Sequence, residues 1–241
     1  MVPALIATLL LAFVHVYGVR LTFSPSIPRS HWLSIAGGTA VAFVFVHILP
    51  ELGRGQEAVE RSGHALTDFL GHHVYMVAMI GLLTFYGIER TVKVHASEGD
   101  LDEQGVAHHM FWVHIGSFAV YNAVIGYLLV HRDTSGLLGL AMFSIALTLH
   151  FVVNDHALRE RHQQAYHDVG RWLLAMAVLA GWVAGQVFEL SEAMVSVLFA
   201  FIAGALTLNA LKEELPRERQ SKFWAFALGA IGYAVLLVLV E

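Results

Sequence analysis

Charge is spaced regularly along the chain. Eight stretches contain no Asp, Glu, Lys or Arg: 1–19, 30–50, 69–88, 104–131, 134–154, 172–188, 193–211 and 223–240. They are 17 to 28 residues long and make up about two-thirds of the sequence. A helix needs about 20 apolar residues to cross ~30 Å of hydrocarbon. Only helices or closed barrels satisfy their backbone in lipid. A barrel would alternate apolar and polar residues in segments of about ten, whereas these runs are continuous. The pattern predicts an all-α fold, a polytopic membrane bundle forming a single domain over 1–241. Its spans fall near 2–19, 31–50, 70–89, 108–131, 136–155, 170–188, 193–213 and 222–240.

The connections set the orientation. The first basic residue, Arg20, follows the first apolar run instead of preceding it, so that run reads as a retained span rather than a cleaved signal. With Met1 outside, the odd-numbered loops hold Arg20, Arg29, Arg90, Lys93, Arg159, Arg161, Arg171, Lys212, Arg217, Arg219 and Lys222. The even-numbered loops hold only Arg54, Arg61 and Arg132. The positive-inside rule then puts both termini outside, and the expected location is the plasma (inner) membrane. The acidic segment from Glu98 to Glu103 reads as a solvated connection on the cytoplasmic side.

Composition narrows the chemistry. The chain is 57% apolar and only 14% charged, well below the charge content of a soluble domain. There is no cysteine, which removes disulfide and thiolate-metal sites. A net charge of −5 and no basic stretch argue against a nucleic-acid partner. The lipid bilayer is the first partner implied. Small residues four apart (Gly38 and Ala42, Gly181 and Gly185, Ala200 and Gly204, Ala225 and Gly229) mark close helix packing.

Polar residues inside the spans carry the candidate chemistry, because each is costly in lipid. They include His15, His47, His114, Tyr121, Asn122, His150, Asn154, Thr207 and Asn209, with Asp155 at a span end. His150 and Asn154 share a helix face at i, i+4. His114 and Tyr121 lie two turns apart on the preceding span, and Asn122 adjoins Tyr121. The short link through Asp133-Thr-Ser-Gly136 makes these two spans antiparallel neighbours. A polar cluster between them would suit a metal, for which neutral imidazole is the commonest protein ligand. The alternative is that each residue simply bonds a neighbouring helix. Of the 15 histidines, His95, His108 and His109 fall in or beside the third loop, and His64, His72 and His73 on the outer side, where they also read as ordinary surface residues.

At these residues the chain resembles the ZIP (Zrt/Irt-like) divalent metal transporters. Span 2 ends in Val46-His47-Ile-Leu-Pro50-Glu51, similar to that family's His-Leu-Leu-Pro-Glu ending. Span 3 ends in Gly-Ile-Glu89-Arg90, and span 7 runs from Ala203-Gly204 to Glu213-Glu214-Leu-Pro216, both similar to family endings. The family's span 4 motif is His-Asn-x-x-Asp/Glu-Gly; here the stretch is Tyr121-Asn122-Ala-Val-Ile125-Gly126. Its span 5 motif is His-Glu-x-Pro-His/Glu-Glu/Gly; here it is His150-Phe151-Val152-Val153-Asn154-Asp155. The resemblance implies eight spans, outside termini, a homodimer, and metal ligands at His150, Asn154 and Asn122, with Asp155 and Tyr121 as further members; His114, two turns away on span 4, could add a second imidazole. Two family carboxylates are replaced, by Ile125 and Phe151. Divalent cations in oxygen-rich sites want anionic ligands, so the residues allow a single-metal site or none.

Three functions remain in play. The first is a divergent ZIP-like carrier, not an enzyme and without a resident cofactor, that passes a divalent cation such as zinc through a cleft between spans 4 and 5. The second is a ZIP-shaped protein without metal transport: a sensor, an accessory subunit or a carrier of another solute. The third is an intramembrane metal hydrolase or haem carrier, for which no ligand spacing stands out.

Overall fold

The computed structural model describes residues 2–18, 29–60, 74–95, 103–131, 136–211 and 222–240. The described residues are almost entirely helical, with no strand among them. Helix α1 is Val2–Tyr17. Helix α2, Arg29–Phe43, continues through a π turn, Val44–Ile48, into α3, Leu49–Glu60. Then come α4, Val74–His95; α5, Glu103–His131; and α6, Gly136–Ala165. A second π turn, Tyr166–Gly170, leads to α7, Arg171–Val187; α8 is Glu192–Asn209 and α9 is Phe223–Val240.

Four helical segments are long and apolar enough to cross a membrane: Ser34–Glu57, His108–His131, Gly136–Val187 and Glu192–Asn209. Val2–Tyr17, Val74–Ile88 and Phe223–Leu239 are apolar but shorter. Outward faces are apolar too. On α9, Phe223, Leu228, Ile231 and Val238 are all well exposed. Contiguous exposed apolar surface on this scale suits lipid rather than water.

Several helices outrun the apolar stretches that start them. The predicted fifth span closes at 155, yet α6 runs on to Ala165. Its last turns, Ala157-Leu-Arg-Glu-Arg161, are good helix formers that need no lipid. The long Gly136–Val187 segment is interrupted at Gln163, whose φ of 40° and ψ of −109° are non-helical. A positive φ is uncommon for a residue with a side chain, so the chain changes direction there. The first π turn has a local cause. Pro50 has no N–H to give to the carbonyl four residues back and crowds it. The helix widens just before Pro50, and the Leu49 N–H donates to the carbonyl of Val44, five residues back.

Three helix couples make the closest contacts: α5 with α7, α2 with α9, and α4 with α8. Each is built on facing glycines. A Cβ on Gly126 would overlap the Val178 carbonyl, and one on Gly181 would overlap that of Ala123. Gly38 faces Phe226 while Gly229 faces Ile35; Gly81 faces Phe201 while Gly204 faces Ala78. Backbones therefore touch directly, the arrangement expected where dispersion rather than the hydrophobic effect holds helices together. Helix α1 packs against both α6 and α7. In contrast, α5 and α6, which follow one another in sequence, approach only sparingly by backbone. Side chains fill the seam between them.

Candidate functional site

The seam has three polar groups. The first is centred on His15 of α1, whose ring is fully buried. Its Nδ1 is 2.9 Å from both carboxylate oxygens of Asp155 on α6. Its Nε2 is 2.8 Å from Asn122 Oδ1 on α5. The Asn122 amide is itself held, its Nδ2 donating to the Phe118 carbonyl at 2.8 Å. This fixes Oδ1 as the atom facing the imidazole, so Nε2 must carry a hydrogen to donate to it. One proton then lies between Nδ1 and the Asp155 carboxylate. Phe151 covers the ring, with centroids 4.5 Å apart. Phe151, at the place where the ZIP-like motif would have a carboxylate, is fully buried against this imidazole.

The second group joins α5 to α6 directly. Tyr121 OH and His150 Nε2 share a hydrogen bond of 3.2 Å between two buried side chains. Tyr121 is also packed edge-on against Phe85 and Phe118.

The third group lies towards the end of the seam marked by Arg161. His114 Nδ1 and His162 Nε2 are 2.9 Å apart. His114 lines a small cleft, of about 30 Å³, together with Ser117, Asn154, Arg161 and Asn209. Phe85, Phe118, Leu158 and Leu208 supply apolar wall. Four helices contribute: α4, α5, α6 and α8.

The six residues singled out from the sequence therefore fall into three groups. Asn122 and Asp155 meet through His15, Tyr121 meets His150, and His114 and Asn154 line the cleft. Among the described residues no three or more of His, Cys, Asp and Glu come together as a metal cage. Asp155 is the one carboxylate among the described buried residues, and both its oxygens already face His15. A cation arriving there would have to displace an imidazole.

Three residues were not placed in the site by sequence reasoning. His15 was visible as a histidine in a run without charge, but nothing local ties it to Asp155. His162 sits between Arg161 and Gln163 and reads as a loop residue. Asn209 was visible only as a polar residue within its span. His64, His72, His73, the segment 98–102, Glu213 and Glu214 lie outside the described residues, as do the side chains of Glu89 and His95.

Compared with protein families, with curated proteins and with solved structures, the chain has no match.

Proposed function

We propose that the protein is an integral membrane carrier of ZIP-like build, with eight crossings and both termini outside. In this reading the Gly136–Val187 segment makes two crossings, turning at Gln163. The shorter helices α1, α4 and α9 make three more, which thin bilayer regions and flanking residues accommodate. The cargo is a divalent cation such as zinc, moved along the seam between α5 and α6 as one bundle rocks against the other. The bilayer and a second copy of the chain are its partners, the plasma (inner) membrane its location, and no chemical reaction is assigned to it. The observation that carries the reading is the Tyr121–His150 bond across the seam. It puts the family-matched imidazole in the seam between two helices, with polar groups on either side of it. Buried intramembrane groups of this kind mark ion and substrate pathways.

The test is uptake of zinc by liposomes containing the purified protein, followed with a metal-sensitive dye. Flux that His150→Ala abolishes supports the reading. Flux that is absent, or unchanged in the variant, overturns the site.

A second reading is a ZIP-shaped protein without metal transport, whether sensor, accessory subunit or carrier of another solute. It is favoured by the His15–Asp155 pair, which occupies the buried carboxylate a cation would need. Metal content by elemental analysis separates the two: stoichiometric zinc lost in His150→Ala supports the first, and a metal-free protein the second.

A further inference from the structure

Arg171 opens α7 and is followed by no charge until Glu189. A cation at the edge of a long apolar stretch is costly, and a countercharge is expected beside it. None is found among the described residues. Arg171 makes no ion pair with any of them; its Nη1 donates to the Val16 carbonyl, in the last turn of α1, at 3.4 Å. A helix C-terminus attracts a cation, but a carbonyl does not neutralise one. Asp168, one turn earlier, is engaged by Gln164 and His167 instead. Arg171 Nε is enclosed and out of reach of any ligand. Nη2 bonds no described residue and is not enclosed, so the outer edge of the guanidinium is open.

The surface beside that edge is aromatic and then aliphatic. The guanidinium lies over the Trp172 ring, 5.3 Å from its centroid. Trp172, Met176, Val183 and Val187 fall on one face of α7, and all four are about half exposed or more. Tryptophan rings settle at the headgroup level of a bilayer. A cation and an indole therefore head a lipid-facing stripe that runs the length of α7. The head of the stripe matches a phosphate by charge, and its body matches an acyl chain.

We propose that the Arg171–Trp172 corner binds an anionic phospholipid. The guanidinium donates to the phosphate through Nη2, Trp172 lies beside the headgroup, and an acyl chain runs along Met176, Val183 and Val187. A zwitterionic lipid has the same phosphate, but its own ammonium group offsets the charge. In the orientation proposed above, this end of α7 faces the cytoplasmic leaflet, which carries the anionic lipids. The site lies on the outer surface, apart from the α5–α6 seam, and does not depend on metal transport.

Fluorescence quenching tests it, with purified protein in neutral detergent micelles. The micelles are doped with dibrominated phosphatidylglycerol or dibrominated phosphatidylcholine at equal mole fractions. Bromine quenches only a nearby indole, so Trp172 reports a lipid beside Arg171, and Trp172→Phe defines the background from the other tryptophans. Phosphatidylglycerol is expected to quench at about one-fifth of the mole fraction that phosphatidylcholine needs, the worth of one cation facing an anionic headgroup. That preference should vanish in Trp172→Phe, and Arg171→Gln should make the two lipids equal. Lys222→Gln removes an exposed cation placed just before α9 and should leave the preference intact. The proposal is overturned if the two lipids quench wild type equally, or if the preference survives in Trp172→Phe or Arg171→Gln. Loss of the preference in Lys222→Gln would mark a general attraction to charge and also overturn it. So would inorganic phosphate that abolishes the preference at matched ionic strength, since the site would then be one for soluble anions. The wild-type and Trp172→Phe measurements keep Arg171 in place, so they decide the matter even if Arg171→Gln fails to fold. None of these outcomes bears on His150-dependent flux, so the two proposals fail separately.

Discussion

His15 and Asp155 are 140 residues apart in sequence, yet the imidazole Nδ1 lies 2.9 Å from both oxygens of the carboxylate. The pair ties α1 to α6, and Asn122 on the other ring nitrogen ties both to α5. A buried polar pair this deep contributes little over an apolar filling, but removing one side leaves the other buried without its partner. His15→Ala is expected to destabilise the protein by about 3–5 kcal/mol. The double variant His15→Leu with Asp155→Leu should recover most of that loss. A double-mutant cycle on melting in detergent measures the coupling; additive effects would show that the two side chains do not meet.

The facing glycines make a sharper structural test. Gly126→Ala and Gly181→Ala each place a methyl group against backbone that cannot move aside as a side chain can. Overpacking of this kind costs about 1–3 kcal/mol. Gly116, ten residues earlier on the same helix as Gly126, has open space where a Cβ would go. Gly116→Ala is expected to be neutral, or to stabilise the helix by up to about 1 kcal/mol through propensity. Equal melting temperatures for Gly116→Ala and Gly126→Ala would contradict the α5–α7 contact.

In the proposed ZIP-like reading, Tyr121 stands where a histidine would be expected. Tyr121→Phe keeps the ring packed on Phe85 and Phe118 but removes the bond to His150. A loss of about 0.5–1.5 kcal/mol is expected, typical of one net hydrogen bond. Tyr121→His instead puts a second imidazole beside His150. If the seam carries a metal, this variant should retain more zinc after dialysis than wild type. Elemental analysis reads the result, and unchanged zinc counts against a metal at that point of the seam.

The start of α8 is set by a cap. Ser191 has extended backbone, and its hydroxyl accepts from the Met194 N–H at 3.3 Å. Ser191→Ala should cost about 1 kcal/mol and Ser191→Asp little or nothing. The same end is clamped by Tyr127, whose hydroxyl donates to the Phe188 carbonyl and accepts from Leu190 N–H. Hydrogen exchange over 188–194 is expected to quicken in Ser191→Ala; unchanged exchange would mean that the cap does not hold the turn.

Much of the fold is legible because its cause is local. Each run free of charge lies largely within a described helix, since a long apolar segment has few other ways to satisfy its backbone. Small residues at i, i+4 pointed to the helix contacts, and Gly38, Gly181, Gly204 and Gly229 are all at backbone crossings. Helix ends were less legible. The turns of α6 past Asp155 are polar, and a rule based on apolar length stops before them. The widening at Val44–Ile48 follows from Pro50, but its form depends on which carbonyl finds a donor.

Sequence alone was enough to establish an all-helical chain of long apolar segments and to mark the polar residues too costly to be incidental. It could not pair them. Asn122 and Tyr121 are adjacent, yet successive residues on a helix point about 100° apart; one turns to His15 and the other to His150. Asp155 and Asn154 divide the same way, between His15 and the cleft. Which partner each side chain reaches depends on α1 lying beside α6 and α7 and on glycines bringing α7 against α5. Those are distances between segments far apart in the chain, and no local pattern records them.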